Sequence, residues 1–173
     1  GLTVIPKIDS QLKLFKNRID EHHVMTFYYK FASMYFGSGD NDTCIFYLDK
    51  IISNKSLSMR QDLLCFSRIL NLFAHYEAGY DYHIETLLKS TYKFLLKMND
   101  LHEVQKEMIK FIKSLQNIYP QDIKKAFVKL HLKLKTFEDD PYATTAFLYL
   151  DIISWLESNI QKKPIGEIIK NKY

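Results

Sequence analysis

Apolar residues recur along almost the whole chain at intervals of three and four positions, the spacing that places side chains on one face of an α-helix. An early stripe contains Leu12, Phe15 and Ile19, and a longer one extends from Ile123 to Phe137. Short clusters of Gly, Asn, Asp, Ser or Pro, which cap or interrupt helices, separate the stripes. No segment alternates apolar and polar residues as a half-buried strand does. The pattern therefore predicts an all-α chain.

The stripes and caps predict about eight helices joined by short connections. Their expected bounds are 9–22, 23–37, about ten residues from Asn41 or Asp42, 59–78, 81–98, 100–118, 120–138 and 140–160, followed by a short helix opened by Pro164. Because the connections are short, consecutive helices are expected to be antiparallel neighbours.

The fourth of these helices is apolar on most sides, so we expect other helices to cover both of its flanks. Arg68, Asn71 and His75 nevertheless form a polar stripe along it, at positions i, i+3 and i+7. One interpretation is an internal polar network that holds neighbouring helices in register, with Glu77 or Asp49 as partner. The other is a stripe that grips a bound peptide through its backbone or a carboxylate.

Composition fits an ordinary folded domain, with 47% hydrophobic and 25% charged residues and only 5 Gly and 4 Pro. Cys44 and Cys65 fit no metal or disulfide spacing and lie in apolar runs, which predicts buried, reduced thiols.

No apolar run reaches the ~20 residues of a membrane span. We therefore expect a cytoplasmic protein. Since the chain begins with Gly1 and not Met, we expect it to be a fragment of a longer one.

Positive charge is concentrated in residues 99–138, which carry eight Lys/Arg against five acids within a net charge of +4. The lysines form two ridges at helical spacing: Lys106, Lys110, Lys113, Lys125, Lys129 and Lys133. Solvated ridges paired with Glu103 and Glu107 are the simplest interpretation. The pI of 8.9 argues against nucleic-acid binding, which is typical of domains with values above ~9.

Residues with catalytic potential do not form a recognisable constellation. The histidines have no metal-ligand spacing, and the chain contains no nucleophile elbow and no phosphate loop. Asp139 and Asp140 precede Pro141 and fit a helix N-cap better than paired catalytic carboxylates. We expect a non-enzymatic chain without metal or cofactor.

The segment beginning at Phe27 reads FYYKFASMYFGSGDNDTCIFYLDKII. It resembles a tetratricopeptide repeat, a 34-residue helix-turn-helix unit. Ala32 and Cys44 occupy the small positions of that repeat, and Tyr35 and Leu48 occupy the large ones. Residues 66–95 repeat the arrangement more loosely. The chain from Phe27 to the helix that ends at Ile160 is also similar to the C-terminal region of certain bacterial tetratricopeptide proteins of unassigned function.

The resemblance implies one domain over residues 1–173, a right-handed α-solenoid of antiparallel helix pairs. Its parts would be a half-repeat, a repeat, a degenerate repeat, a helix pair, and a second pair with a C-terminal cap, at 9–22, 23–56, 59–98, 100–138 and 140–172.

The resemblance also implies a concave groove lined by the first helix of each pair. Tyr29, Ser33 and Phe36 would then line it as exposed side chains. The polar stripe would continue it in the next pair. The function expected is a protein–protein interaction scaffold that holds a peptide or protein segment in this groove. Two alternatives remain at this point: a regulatory domain that binds nucleic acid or a peptide signal, and a structural cap of a longer array. The oligomeric state, and whether the chain itself fills the groove, stay open.

Overall fold

A computed structural model of the chain describes residues 1–15, 18–54, 61–98, 102–137 and 139–172. Within these ranges the secondary structure is helical and contains no strand, which confirms the all-α prediction. The α-helices are α1 Ile5–Leu14, α2 Glu21–Ser38, α3 Asn41–Ile52, α4 Gln61–Glu77, α5 Asp81–Met98, α6 Glu103–Leu115, α7 Ile123–Lys135, α8 Pro141–Tyr149, α9 Ile152–Gln161 and α10 Ile165–Lys170. Single 3-10 turns precede α1 and α7, at Leu2–Val4 and Pro120–Asp122.

Most helix ends lie close to the predicted punctuation. Asp40 caps α3, because its Oδ1 accepts a hydrogen bond from the Thr43 amide at 3.1 Å, one residue before the expected cap. Gly39 ends α2 with a φ of 84°, and Gly79 follows α4 with a φ of 72°. These are left-handed conformations that glycine adopts without a Cβ clash. Ser58, Asn99 and Asp100, at the expected starts of the helices over 59–78 and 100–118, lie outside the described residues.

The first helix begins earlier than expected, at Ile5 instead of residue 9 or 10. Pro6 explains the difference, because proline is well accommodated in the first turn of a helix. Asp9 is therefore not a cap. It lies inside α1, is only 7% exposed, and pairs with Lys13 at 2.7 Å.

The prediction of a single long helix over 140–160 is wrong, because the helix is interrupted at Asp151. The Asp151 carboxylate accepts a hydrogen bond from the Ser154 amide at 3.0 Å and starts α9 as a new helix. Asp151 itself is exposed to solvent and acts as the N-cap of α9. Asp140 serves α8 in the same way, accepting from the Ala143 amide at 2.9 Å, as predicted.

Consecutive helices from α2 to α7 pack against one another. In addition, α2 contacts α4, and α4 contacts α6. In the first pair the small residues Ala32 and Cys44 are fully buried. Beside them Tyr47 of α3 contacts the rings of Tyr28 and Phe31 of α2, with centroids 5.6 and 5.3 Å apart. Cys44 and Cys65 are both buried thiols that form no disulfide, as predicted.

The last helices turn back over the earlier ones, so the packing order is not that of a simple open stack. α9 packs on α7 and α10, and α10 contacts α2 near the start of the chain. Trp155 of α9 is fully buried, with ring centroids 4.6 Å from Phe73 of α4, 5.1 Å from Phe127 of α7 and 6.1 Å from Phe111 of α6. We call α8, α9 and α10 together the C-terminal closure.

Candidate functional site

The polar stripe of α4 faces its neighbours in sequence, α3 and α5. The guanidinium carbon of Arg68 lies 4.3 Å from the ring centroid of Phe94 in α5. His75 donates from Nδ1 to the Asn71 carbonyl oxygen at 2.9 Å, and its ring centroid lies 5.9 Å from that of Tyr80. These contacts place the stripe between packed helices.

Burial of the stripe supports the internal interpretation over peptide binding. Asn71 is 5% exposed, and burial lowers the pKa of Arg68. Among the described residues, neither Arg68 Nε nor Asn71 Oδ1 has a hydrogen-bond partner. These atoms are shielded from solvent, so a bound peptide could not reach them. Their lack of partners costs free energy and leaves the expected internal network incomplete.

Of the two partners expected for the stripe, one is near it and the other is not. Burial raises the pKa of the Asp49 carboxyl, and nearby His75 opposes this shift only in part. Glu77 points elsewhere, because its carboxylate accepts from Trp155 Nε1 at 2.6 Å and from Asn159 Nδ2 at 3.0 Å in α9. Glu77 therefore anchors the C-terminal closure.

The prediction that aromatic side chains of the first helix pair are exposed in a groove is wrong. Tyr29 is 4% exposed and Phe36 is 6% exposed. The reason is that α2 contacts α3, α4 and α10, which leaves Phe27 and Met34 exposed in place of the expected aromatic residues. Ser33 is half-buried, and its hydroxyl donates to the Tyr29 carbonyl of the same helix at 3.0 Å.

The face of α4 opposite the polar stripe is covered by the C-terminal closure. Phe66 and Ile69 of α4 lie with Ala146 and Leu150 around a tight junction that also includes α6. One and two turns further along α4, Phe73 and Glu77 contact Trp155. The chain itself therefore occupies the surface on which a bound segment would have contacted α4.

A larger opening lies between α6 and α7, which we call the α6–α7 cleft. Its volume is about 750 Å³, and its described lining comes from these two helices and the residues that join them. The floor is apolar and consists of Phe111, Ile118, Ala126 and Leu130. The polar lining residues are Glu107, Lys110, Ser114, Asp122, Lys125, Lys129 and Lys133.

Four of the six lysines predicted as a basic surface line this cleft, whereas Lys106 and Lys113 do not. Lys106 pairs with Glu103 on the surface of α6, with its ammonium nitrogen 2.7 Å from a carboxylate oxygen. Lys113 lies on the side of α6 that approaches α5. The hydrogen bond from Lys89 is the main cause of the lowered pKa of Glu85 there, and the charge of Lys113 adds to it weakly. The predicted pairing of the α6 lysines with Glu103 and Glu107 is confirmed.

The positive charge in the cleft is unevenly distributed. Lys110 of α6 pairs with Glu107 at 2.9 Å, and Lys125 pairs with Asp122 at 3.0 Å, each within one helical turn. Lys129 and Lys133 of α7 form no ion pair with any residue that the structure describes. The Lys133 ammonium instead lies 5.1 Å from the ring centroid of Phe137. The excess positive charge is therefore on the α7 side.

The pKa shifts around the cleft follow mainly from the short ion pairs along α6. The hydrogen bond to Glu107 raises the pKa of Lys110. The pKa of Glu103 is lowered by its hydrogen bond from Lys106 and, more weakly, by Lys110 and by Lys133 across the cleft. Both shifts favour the charged forms, so these groups stay ionised at neutral pH.

A second opening of about 590 Å³ lies between α1, α2 and α3. Its cation Lys50 is already engaged, because its ammonium lies 4.3 and 4.8 Å from the ring centroids of Phe46 and Tyr28. Lys13, at the same opening, pairs with Asp9. This opening therefore offers a partner fewer available charges than the α6–α7 cleft.

The sequence identified the lysines of the cleft but not its floor. The ridges follow from spacing alone. Phe111 and Leu130, by contrast, belong to stripes that predict core residues, and both are largely buried. Only the positions of α6 and α7 show that one edge of each stripe borders an open cleft.

Further observations bear on chemistry and relatives. In the ranges given above, no three His, Cys, Asp or Glu side chains are grouped closely enough to hold a metal ion. None of the described helices combines the length and the apolar character that crossing a bilayer requires.

Comparison with models of protein families, with curated proteins and with solved structures finds no match to this chain.

Proposed function

We propose that this chain is a non-enzymatic scaffold that binds a segment of another protein in the α6–α7 cleft. The observation that carries the proposal is the apolar floor of the cleft, partly exposed at Ile118 and Ala126, between charged rims. Apolar surface bordered by polar residues is typical of protein-interaction sites. Tetratricopeptide-like pairing of helices, the resemblance noted for Phe27 onwards, is consistent with such a role.

The proposed site differs from the groove that the resemblance implies. The C-terminal closure covers the surface of α4 opposite its polar stripe, and the stripe itself faces α3 and α5. A partner bound in the α6–α7 cleft displaces none of these contacts. The structural cap of a longer array, the other alternative, stays a prediction, since α10 packs against α2 near the start of the chain.

Nucleic-acid binding, the alternative considered from the basic ridges, is less well supported by this geometry. Glu107 and Asp122 line the same cleft as the lysines and neutralise Lys110 and Lys125. A phosphate backbone would meet these carboxylates as well as the lysines. Binding through phosphates usually relies on a broad, uninterrupted positive surface.

The proposal can be tested by selecting ligands from a random peptide library displayed on phage, with the full chain as target. A photo-crosslinking amino acid is placed at Ser114, which lines the cleft, or at Lys89, an exposed position on α5. We expect selected peptides to crosslink at position 114 and not at 89. Failure to select any peptide, or equal crosslinking at both positions, would contradict the proposal.

A further inference from the structure

We propose that the segment bound in the α6–α7 cleft is an amphipathic α-helix of a partner protein, with an apolar ridge flanked on one side by a row of carboxylates. This inference rests on the proposed function and specifies its partner. It follows from the shape of the cleft, the chemistry of its floor and the one-sided distribution of its charge.

The shape of the cleft suits a helix. Its helical lining extends from Glu107 to Ser114 on α6 and from Lys125 to Lys133 on α7, and Ile118 and Asp122 lie in the connection between the two helices. Each helical wall is thus about two turns long, or roughly 11–12 Å at 1.5 Å per residue. A groove between two adjacent antiparallel helices is a surface into which the side-chain ridge of a third helix packs.

The chemistry of the floor also favours a helical occupant. Phe111, Ile118, Ala126 and Leu130 offer no hydrogen-bonding groups in their side chains. An extended segment lying on them would leave backbone N–H and C=O groups facing an apolar surface, which is unfavourable. A helix satisfies its backbone internally and presents only side chains, so it can bury an apolar ridge at no such cost.

The charge of the rims sets the orientation of that helix. On α6, Glu107 neutralises Lys110, so this rim has little net charge. On α7, Lys129 and Lys133 have no carboxylate partner among the described residues and are one helical turn apart. Two carboxylates spaced four residues apart on the partner helix would face this pair of lysines. The carboxylates therefore belong on the flank that approaches α7.

Synthetic helices provide the probe, because the partner is defined here only by its chemistry. The reference peptide is about 16 residues long, with Leu at helical positions i, i+3, i+7 and i+10 and Glu in one row beside them. In one control peptide Gln replaces the Glu row, and in another Ser replaces the Leu row. A thymidine oligonucleotide of similar negative charge tests for phosphate binding. Fluorescence anisotropy with the full chain measures each dissociation constant.

Two charge-reversal variants of α7 provide a matched comparison. Lys129→Glu with Lys133→Glu alters the cleft, whereas Lys124→Glu with Lys135→Glu makes the same change in net charge at exposed positions outside it. Each pair includes one lysine of the last turn of α7. The effect on helix stability through the helix dipole is therefore comparable. Circular dichroism establishes that both variants are folded.

We expect the Glu peptide to bind most tightly and the Ser-substituted peptide not to bind. The variant at 129 and 133 should weaken the Glu peptide by about tenfold, because exposed ion pairs contribute modestly and reversal replaces attraction by repulsion. The variant at 124 and 135 should change binding by less than about twofold. A peptide with Lys in place of the Glu row should recover affinity for the variant at 129 and 133.

Each contrary result has a distinct meaning. Equal affinity for the Glu and Gln peptides would overturn the charged partner while leaving the cleft as a protein-binding site. Crosslinking of library peptides at Ser114 without binding of any synthetic helix would overturn the helical occupant alone. Tighter binding of the oligonucleotide than of every peptide would overturn both this inference and the proposed function.

Discussion

Arg68 shows how a side chain with a functional appearance can serve packing. Its guanidinium lies over the ring of Phe94, and its Nε is buried without a hydrogen-bond partner in the described part of the chain. Long basic side chains often stabilise proteins through their apolar stems as much as through their charge. The stacking on Phe94 therefore contributes to stability, while the buried Nε opposes it.

Replacing Arg68 by Met should leave the free energy of unfolding unchanged or raise it by up to about 1 kcal/mol, because the stem remains and the unpaired group is removed. Replacing it by Ala should lower that free energy by about 1–2 kcal/mol through lost packing. Urea unfolding followed by circular dichroism measures both. An alanine variant as stable as the parent would contradict the packing role.

Glu157 makes stability depend on pH. Burial opposes ionisation of its carboxyl, but hydrogen bonds from Lys172 and His131, together with their charge, outweigh burial and lower its pKa below the ordinary value of 4.5. The oxygen–nitrogen distances are 2.8 Å to Lys172 and 3.2 Å to His131. A carboxyl with a lowered folded-state pKa stabilises the fold above its unfolded-state pKa and loses that contribution as pH falls through the folded-state pKa.

Glu157→Gln should therefore reduce the free energy of unfolding at pH 7, and the difference from the parent should shrink as the pH falls below about 4.5. Urea midpoints at pH 7 and pH 3.5 give the comparison. Glu85→Gln is the control, because the Glu85–Lys89 pair is exposed and should contribute little at either pH. A difference between parent and Glu157→Gln that does not change with pH would refute the assignment.

Residue-scale roles were only partly predictable, for a physical reason. The spacing of Arg68, Asn71 and His75 established that they share one face of α4, which the contacts confirm. Spacing does not determine which neighbour covers that face. That depends on how α3, α5 and the C-terminal closure are arranged around α4.

Helix boundaries were predictable where a local signal was strong. Gly39, Gly79 and Pro120 interrupt the helical pattern, and each lies at a helix end in the structure. Asp151 was missed because it lies within an apolar run, where the spacing continues through it and favours one long helix. The run is instead divided between α8 and α9, and the cap at Asp151 allows the chain to change direction.

The end of α9 contains the one non-glycine residue with a positive φ in the described chain. Lys162 has a φ of 55° and a ψ of 45°, a left-handed conformation that costs an ordinary L-residue about 1 kcal/mol. The conformation ends α9, and the Ser158 hydroxyl then bonds to the Lys163 carbonyl at 2.7 Å. The chain accepts this cost where it turns towards α10.

Lys162→Gly should raise the free energy of unfolding by about 0.5–1 kcal/mol, since glycine adopts this conformation without the steric penalty. Lys163→Gly is the control and should not stabilise, because residue 163 has no positive φ to relieve and glycine adds flexibility to the unfolded chain. Thermal and urea unfolding of both variants test the expectation. Equal effects at the two positions would show that the conformation of Lys162 carries no cost.

At the scale of the whole molecule, contact between α10 and α2 joins the two ends of the helical arrangement. A Cβ atom at Gly166 would lie 3.4 Å from the Gly37 carbonyl oxygen, so the helices approach closely there. In an open repeat array each unit contacts only its neighbours and can unfold separately. Contact between distant helices couples their unfolding.

Gly166→Leu should separate α10 from α2 and lower the free energy of unfolding by about 1–3 kcal/mol, because a larger side chain cannot fit at this approach. Amide hydrogen exchange should accelerate in α2 as well as in α10. Gly37→Ala is the control. Nothing lies within 4 Å of a Cβ added there, so it should be neutral or slightly stabilising. Acceleration confined to α10 would show that the two ends are not coupled.

The closure illustrates what a single sequence does not reveal about a helical chain. Helix content and the order of antiparallel neighbours follow from periodicity and short connections, which are local. The return of α10 to α2 depends on the directions taken at Asp151 and Lys162, and small changes of angle there move the distant end by many ångströms. The candidate cleft was hidden for the same reason, since it depends on which surfaces the closure leaves uncovered.

Trp155 is the only tryptophan of the chain and lies where the closure meets α4, α6 and α7. Its intrinsic fluorescence can therefore report the state of this junction without any added label. Phe111 contacts it from one side and forms part of the floor of the α6–α7 cleft on the other. A ligand that packs on Phe111 would alter the surroundings of the indole through a single side chain. Occupancy of the cleft and opening of the closure can thus both be followed by the fluorescence of Trp155. Its emission maximum lies at shorter wavelength while the indole is shielded from water and moves to longer wavelength when water reaches it.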